Sequence, residues 1–369
     1  MAGNRVHAMK RSITILMAVV CLATSTGCAT RLTVDDGRQL DSRLLSDMRA
    51  YGAALKALRP AIVRSAELDD PDCSNQYELP FDAMTSYGIG DDDTRVAWLR
   101  TLGVNENLTV IAADPSVGVR AGDIVAGVDG HTSRNKQKLA GELIEARDRG
   151  EPFAVQLASG RQVTVSPLKV CRGHVQVAPP LEPAQQRYHW QETVHPLEVF
   201  GRPLTAEEAQ WIVLWTQGLS EQGGARMKTY AFFAGGVKWI GALAIGFGTA
   251  HAASAAKAAS AAGASSAGPV AAVQLAGQAA SLMARSAANR AALSGVSHVA
   301  AGVFDRADQW AFDHMRNLGM DPGAGLRLHE KLVAQGAAAN AFLFDERRLA
   351  RMRVLASAPG PEALAHTAR

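Results

Sequence analysis

Cysteine is scarce in this chain, aromatic side chains are only 6% of it, and its charges nearly cancel at a net +3. So small a net charge, without a basic stripe interleaved with aromatics, excludes the electrostatic footprint of a nucleic-acid partner. No CxxC pair occurs, which argues against a thiolate metal or redox site. No HExxH string occurs, so a ready-made zinc hydrolase helix is missing. No GxSxG is present and no Ser-x-x-Lys stands in a credible setting, so the serine nucleophile routes are set aside as well. What is present is a globular composition, 47% hydrophobic and 20% charged over 369 residues, enough for two domains with real cores.

The N-terminus carries an export pattern. Lys10 and Arg11 precede an apolar run from Ile13 to Leu22. That run has signal-peptide length and is short for a membrane span. Small residues then lead to Thr26-Gly27-Cys28, which resembles a bacterial lipobox with Ser25 where leucine is usual. The resemblance implies that Cys28 is diacylated and begins the mature chain, with an ordinary cleaved signal as the alternative. Ala29 implies outer-membrane sorting, with the folded part facing the periplasm. The start codon is Met1 or Met9. Cys21 falls in the signal, which leaves Cys73 and Cys171. In an oxidising compartment such a pair is most economically a disulfide. Closing a loop of about 100 residues stabilises by roughly 4–5 kcal/mol in the chain-entropy model.

Along residues 32–67, Leu40, Leu44, Leu45, Met48, Ala53, Leu55 and Leu58 recur at helical spacing, and Pro60 is expected to interrupt the helix. This segment, 29–68, is expected to link the anchor to the folded part. Next come a short helix over 96–102, a strand over 108–112, a turn at Asp114-Pro115-Ser116 and a strand beginning at Ile124. A helix follows over 135–149, then two strands at 153–157 and 162–165 joined at Ser159-Gly160. Ile124 and Val128 are the candidate buried positions of the strand after the turn. Residues 173–203 hold five prolines and read as a linker with short extended pieces, not a compact domain. In 204–357, Thr205 and Glu208 have capping-box spacing at the start of a helix. Tyr230 to Ala250 is apolar and about span length, so a membrane hairpin or a buried small-residue helix are both open.

The string GVRAGDIVAGVDG, residues 118–130, resembles the signature of bacterial PDZ domains, and the order of elements around it resembles their permuted form. Gly122, Asp123, Asp129 and Gly130 carry that signature. The resemblance implies a groove between a sheet edge and the helix 135–149 that takes extended or C-terminal peptides of envelope proteins as an added strand. Leu139 and Leu143 would line that groove and Tyr77 to Phe81 would hold the peptide carboxylate, unless the two leucines are simply core.

Two further stretches, Leu204–Glu208 and 304–332 with Ala307-Asp308 and MRNLGMDP, resemble the M48 zinc metallopeptidases, some of which carry a PDZ segment. Aligned on that family, the HExxH positions fall on Trp215, Thr216 and Leu219, and the third ligand falls on Phe304. None of these four can bind zinc. The resemblance therefore implies an α+β chain: a permuted PDZ-like α/β module at 69–172, then a mainly α-helical M48 peptidase-like domain at 204–357 that has lost its metal. The tail is 358–369. No cofactor is expected. The alternatives are a zinc peptidase with non-standard ligands from His189, His195 or Asp308, and an anchored assembly factor that makes only fixed contacts.

Overall fold

A computed structural model describes residues 32–68, 70–178, 180, 187–188, 192–195, 197–200, 203–224, 302–334 and 346–358. The signal segment with Cys28, residues 230–250, His189 and residues 359–369 lie outside the described residues. The chain is α+β. In chain order the elements are α1 (Ser42–Ser65), β1 (Asn75–Glu78), β2 (Phe81–Met84), α2 (Asp92–Leu102), β3 (Leu108–Ala113), β4 (Ile124–Val128), β5 (His131–Thr132) and α3 (Lys136–Arg149). Then come β6 (Phe153–Leu157), β7 (Gln162–Val165), β8 (Leu168–Cys171), β9 (His174–Val177), β10 (Arg187–Tyr188) and β11 (Glu192–His195). The later helices are α4 over 206–224, α5 over 302–317, α6 (Ala324–Ala334) and α7 (Glu346–Ser357).

The main sheet has the order β2-β3-β4-β6-β7, with β5 attached to β4. Its two faces follow strand alternation. Phe81, Leu108, Val110, Val125, Phe153, Val155 and Leu157 turn to one face and form a core with Leu139, Leu143 and Ala146 of α3. Met84 and Ile111 turn to the other face, against α1 and α2. Val125, not Ile124, is the buried partner of Val128; Ile124 is half-buried. The cause is a bulge between Val125 and Gly127, which resets the alternation so that both valines point inward.

α1 departs from expectation in two ways. It passes through Pro60 without ending there. The ring is exposed at the solvent side, while Leu58, Ala61 and Ile62 around it are buried, and their burial offsets a penalty of about 3 kcal/mol. Nor is α1 a mere link to an anchor. Leu44 and Met48 pack with Trp98 and Ile111 of the sheet half, whereas Tyr51, Ala54, Leu58, Ala61 and Ile62 join the core of α4 and α5.

The short extended pieces expected in 173–203 are present, and they pair with one another. β9, β10 and β11 form a three-stranded sheet in the order β10-β11-β9. Val177, Ala178, Val194 and Phe200 are buried, and Val177 and Phe200 belong to the core of the helical half. Proline density signals broken hydrogen-bonding registers, and here short strands lie between the prolines.

Cys73 and Cys171 form the disulfide, with Cα atoms 5.5 Å apart and a sequence separation of 98. It closes the ribbon in which β1 pairs antiparallel with β8. At α4, Thr205 Oγ1 accepts from the Glu208 amide and Glu208 returns the bond to the Thr205 amide, so the capping box is formed. No helix among the described residues is long and apolar enough to cross a membrane.

Replacing Cys73 and Cys171 together by alanine should lower unfolding stability by about 3–5 kcal/mol. Urea unfolding of the oxidised protein and the variant measures it. A midpoint that does not move would mean that the ribbon is held by pairing alone.

Candidate functional site

β2 is the terminal strand of its sheet, with β3 as its neighbour. Two contacts place α3 alongside it. At the C-terminal end of α3, a Cβ on Gly150 would stand 2.2 Å from Cζ of Tyr77. The Tyr77 ring is therefore seated on a glycine that also takes φ +72°. At the other end, Gln137 Nε2 would lie 2.6 Å from a Cβ on Gly88. Residue 77 thus meets the end of α3 and residue 88 meets its start, so β2 runs antiparallel to the helix between two closed ends.

The expected groove residues sit elsewhere than the sequence suggests. Phe81 and Leu139 are 0% exposed and Leu143 is 3% exposed, all in the packed core with Val110 and Val155. They are not an open lining. The buried stripe of α3 is Leu139, Leu143 and Ala146. At 100° per residue, Gln137, Ala140 and Ile144 share the flank beside that stripe, on the side from which Gln137 reaches Gly88. Ile144 is 47% exposed, one of few large apolar side chains left open. The opposite flank carries Lys138, Glu142 and Arg149. Sequence periodicity marks the whole apolar sector and does not separate its buried middle from its open edge.

The signature residues build turns. Gly122 has φ +92°, and Asp123 Oδ2 accepts from the Arg120 amide at 2.8 Å and from Arg161 at 3.0 Å. Asp129 and Gly130 both have positive φ, the geometry of a tight hairpin turn, and join β4 to β5. Asp129 Oδ1 accepts from the Ala154 amide at 2.9 Å and its other oxygen binds Arg149. These four residues shape the module and face no groove.

At the start of β2 lies a buried charge cluster. Arg59 of α1 binds both carboxylate oxygens of Asp82, donates to Leu79 O at 2.7 Å and lies 3.7 Å from Glu78. Glu78 also pairs with His174. Burial pushes the Glu78 carboxyl up, but His174 and Arg59 outweigh it and hold it below the usual range. Burial pushes Arg59 down, and Asp82 and Glu78 more than reverse that, so the guanidinium stays charged. Arg59 is thus already engaged by side chains and a carbonyl of this chain, at the end where a peptide carboxylate was expected near Tyr77 to Phe81.

In the helical half the four substituted positions do come together. Trp215 and Phe304 stack with ring centroids 5.7 Å apart, and Thr216 and Leu219 are buried beside them on α4. Over the two rings lies Arg348 of α7, its Cζ 5.2 Å from the Trp215 centroid and 5.8 Å from that of Phe304. The same guanidinium binds Asp308 through two bonds of 2.7 and 2.5 Å, with the carboxylate fully buried. Burial pushes the Asp308 carboxyl up and Arg348 opposes it. Two rings, a hydroxyl and an alkyl chain supply no zinc ligand set, and a fixed guanidinium repels a dication. The residues present do not fit zinc. Among the described residues no three His, Cys, Asp or Glu side chains are grouped to hold a metal.

Of the alternative ligands, Asp308 is bound to Arg348. His195 pairs with Thr216, Nε2 to Oγ1 at 3.0 Å, and since Thr216 Oγ1 donates to Ile212 O, the imidazole N–H is the donor. His329 donates from Nδ1 to Gly325 O at 2.8 Å and meets Trp211 edge-on. Burial lowers His195 to about 4, and burial followed by the charge of Arg348 lowers His329 to about 3. Both are neutral at pH 7. Nothing in a sequence marks Arg348 as their neighbour, because α7 reaches it only by tertiary docking.

Arg348→Met should cost about 3–5 kcal/mol by stranding a buried carboxylate, and adding Asp308→Asn should recover part of the loss. Urea unfolding of the four-member cycle measures this, and additive losses would show the pair to be uncoupled. The histidines predict an acid limb. Their folded values lie below the unfolded 6.5, so their stabilisation is complete above pH 6.5 and is lost as pH falls toward about 4 and 3. Each contributes up to about 1.4 kcal/mol per pH unit in that window. Stability measured at pH 7 and pH 5 should differ accordingly, and His329→Gln should flatten the slope.

Comparison with known proteins yields no matching family model, no matching curated protein and no matching solved structure.

Proposed function

We propose that this chain is an envelope lipoprotein that binds extended segments of envelope proteins by strand addition, with a role in protein binding or quality control. In this reading residues 69–172 are a permuted PDZ-like module. The helical half is an M48-like scaffold without catalysis. Cys28 carries the acyl anchor, and the folded part faces the periplasm, at the outer membrane.

The observation that carries the reading is the placement of β2. It is a sheet-edge strand that runs antiparallel along α3, with Tyr77–Gly150 closing one end and Gly88–Gln137 the other. An added strand pairs its backbone with such an edge, and its side chains alternate between the helix and solvent. Ala140 and Ile144 offer the helix side an apolar surface. The occupied state of Arg59 favours internal extended segments over free C-termini, because its donors already serve Asp82 and Leu79. The non-catalytic reading of the other half is supported by Arg348, a resident cation among the positions where zinc ligands would stand.

The fixed-contact assembly reading has one observation in its favour: Phe81, Leu139 and Leu143 are closed core. A binding experiment separates the two. The whole protein is titrated into a library of fluorescent extended peptides, read by anisotropy. Ile144→Asp, at a half-exposed site, should weaken the best binder by about tenfold or more, equivalent to about 1.4 kcal/mol. N-methylation of alternate peptide amides should also weaken it. If no peptide binds, or if binding ignores both changes, the assembly reading stands instead.

A further inference from the structure

The segment ahead of α1 is held in place. Thr33 donates its amide to Glu106 Oε2 at 2.7 Å, and its hydroxyl binds the other carboxylate oxygen. Arg100 of α2 holds Asp35 through two bonds, one of 2.8 Å. Arg38 reaches Asp93 at 3.0 Å. Leu40 packs against the Trp98 core. Residues 33–40 are therefore a strap along α2, secured at four points. The Arg100 guanidinium holds the Asp35 carboxyl down to about 2, and burial of Glu106 is outweighed by its bonds from Thr33, so both carboxylates are ionised at neutral pH.

Two apolar side chains at the head of this strap are exposed: Leu32, the residue before it, at 47%, and Val34, within it, at 73%. Three residues separate Cys28 from Leu32. Four extended peptide steps reach at most about 14 Å. An acyl chain on Cys28 therefore keeps Leu32 within about 14 Å of the bilayer surface and Val34, two steps further on, within about 22 Å.

We infer that the strap is a membrane-apposition surface, which holds the α2 side of the protein directly on the lipid with Leu32 and Val34 at the interface. The inference rests on the proposed acylation of Cys28. Its consequence is orientation. A long flexible leader would let the folded part tumble freely, whereas a strap bonded to Glu106, Asp93 and Arg100 transmits the membrane plane to α2 and the sheet behind it. The headgroup chemistry follows from charge. Asp35, Asp36, Asp91, Asp92, Asp93 and Glu106 outnumber Arg38, Arg95 and Arg100 around the strap. The surface suits zwitterionic headgroups and is repelled by anionic ones.

The full-length protein is processed in cells, purified and placed in phosphatidylcholine vesicles that contain nitroxide lipids. It carries a fluorophore on Val34→Cys, Asp92→Cys or Val354→Cys; position 354 is 66% exposed on α7. Most of the signal at 34 should be quenched, with lesser quenching at 92. Exchanging phosphatidylcholine for phosphatidylglycerol should reduce quenching at both. In an Asp35→Ala, Arg38→Ala, Arg100→Ala background the label at 34 should stay quenched while quenching at 92 falls, because both ion pairs that tie the strap to α2 are then removed. Equal quenching at 34, 92 and 354, or none at 34, overturns the inference. The mass of the mature N-terminus separates the two levels. An acylated Cys28 without quenching at 34 defeats only the apposition, whereas an unmodified Cys28 defeats the anchor and the apposition with it.

Discussion

Two cores meet on one helix, and most of the molecule depends on that burial. α1 gives Leu44 and Met48 to the pocket of Trp98 and Ile111, and gives Tyr51, Leu58 and Ile62 to the core of α4 and α5. A helix with solvent on one side needs a single apolar stripe. α1 buries more of its circumference because it has partners on two sides. Arg59 adds direction to a contact that apolar burial alone leaves free to slide, since its guanidinium fits the carboxylate of Asp82 at one register. The start of β2, and with it the end of the proposed groove, is positioned by this pair. The sheet-edge strand β2 and the helical half are thus not independent modules on a string.

Charge is treated alike at both ends of the chain. Arg59 and Arg348 are buried guanidiniums, each bound bidentately by an aspartate from another element. Such pairs add little net stability compared with apolar packing, yet losing one partner is costly. Their effect is to specify. Arg348 brings α7 across the chain to the rings of Trp215 and Phe304, and that docking closes the region where the zinc-peptidase resemblance would put a metal. A guanidinium there supplies a permanent positive charge with no open coordination position. The residues at these positions do not fit a zinc ion.

Legibility varied by the kind of signal. The strands at 153–157 and 162–165, the helix after Asn135 and the turn at Asp129-Gly130 follow from local rules, because side-chain alternation, an Asn cap and a positive-φ pair act within a few residues. Cys73 and Cys171 were legible by elimination. Of the two readings open for Leu139 and Leu143, groove lining or core, they are core. Leu139, Leu143 and Ala146 share the stripe that faces the sheet and are buried, whereas the equally apolar Ile144 lies off that stripe and stays exposed. In residues 173–203 proline density pointed to short extended pieces but not to the pairing of β9 with β11, which depends on each strand meeting the other and on the core beneath. Pro60 misled because a helix buried on two sides tolerates one missing hydrogen bond.

By itself the sequence determined the α+β class, the turn geometry and the disulfide, and it gave the chemistry of Trp215, Thr216, Leu219 and Phe304. Each depends on residue chemistry or on spacing within one element. Only the tertiary structure decided that these four positions converge, that Arg348 stands over two of them, that β2 runs antiparallel to α3, and that the strap before α1 is bonded to α2. Those outcomes join residues far apart in the chain through packing and paired charges, and no local pattern encodes which distant partner a buried side chain will meet.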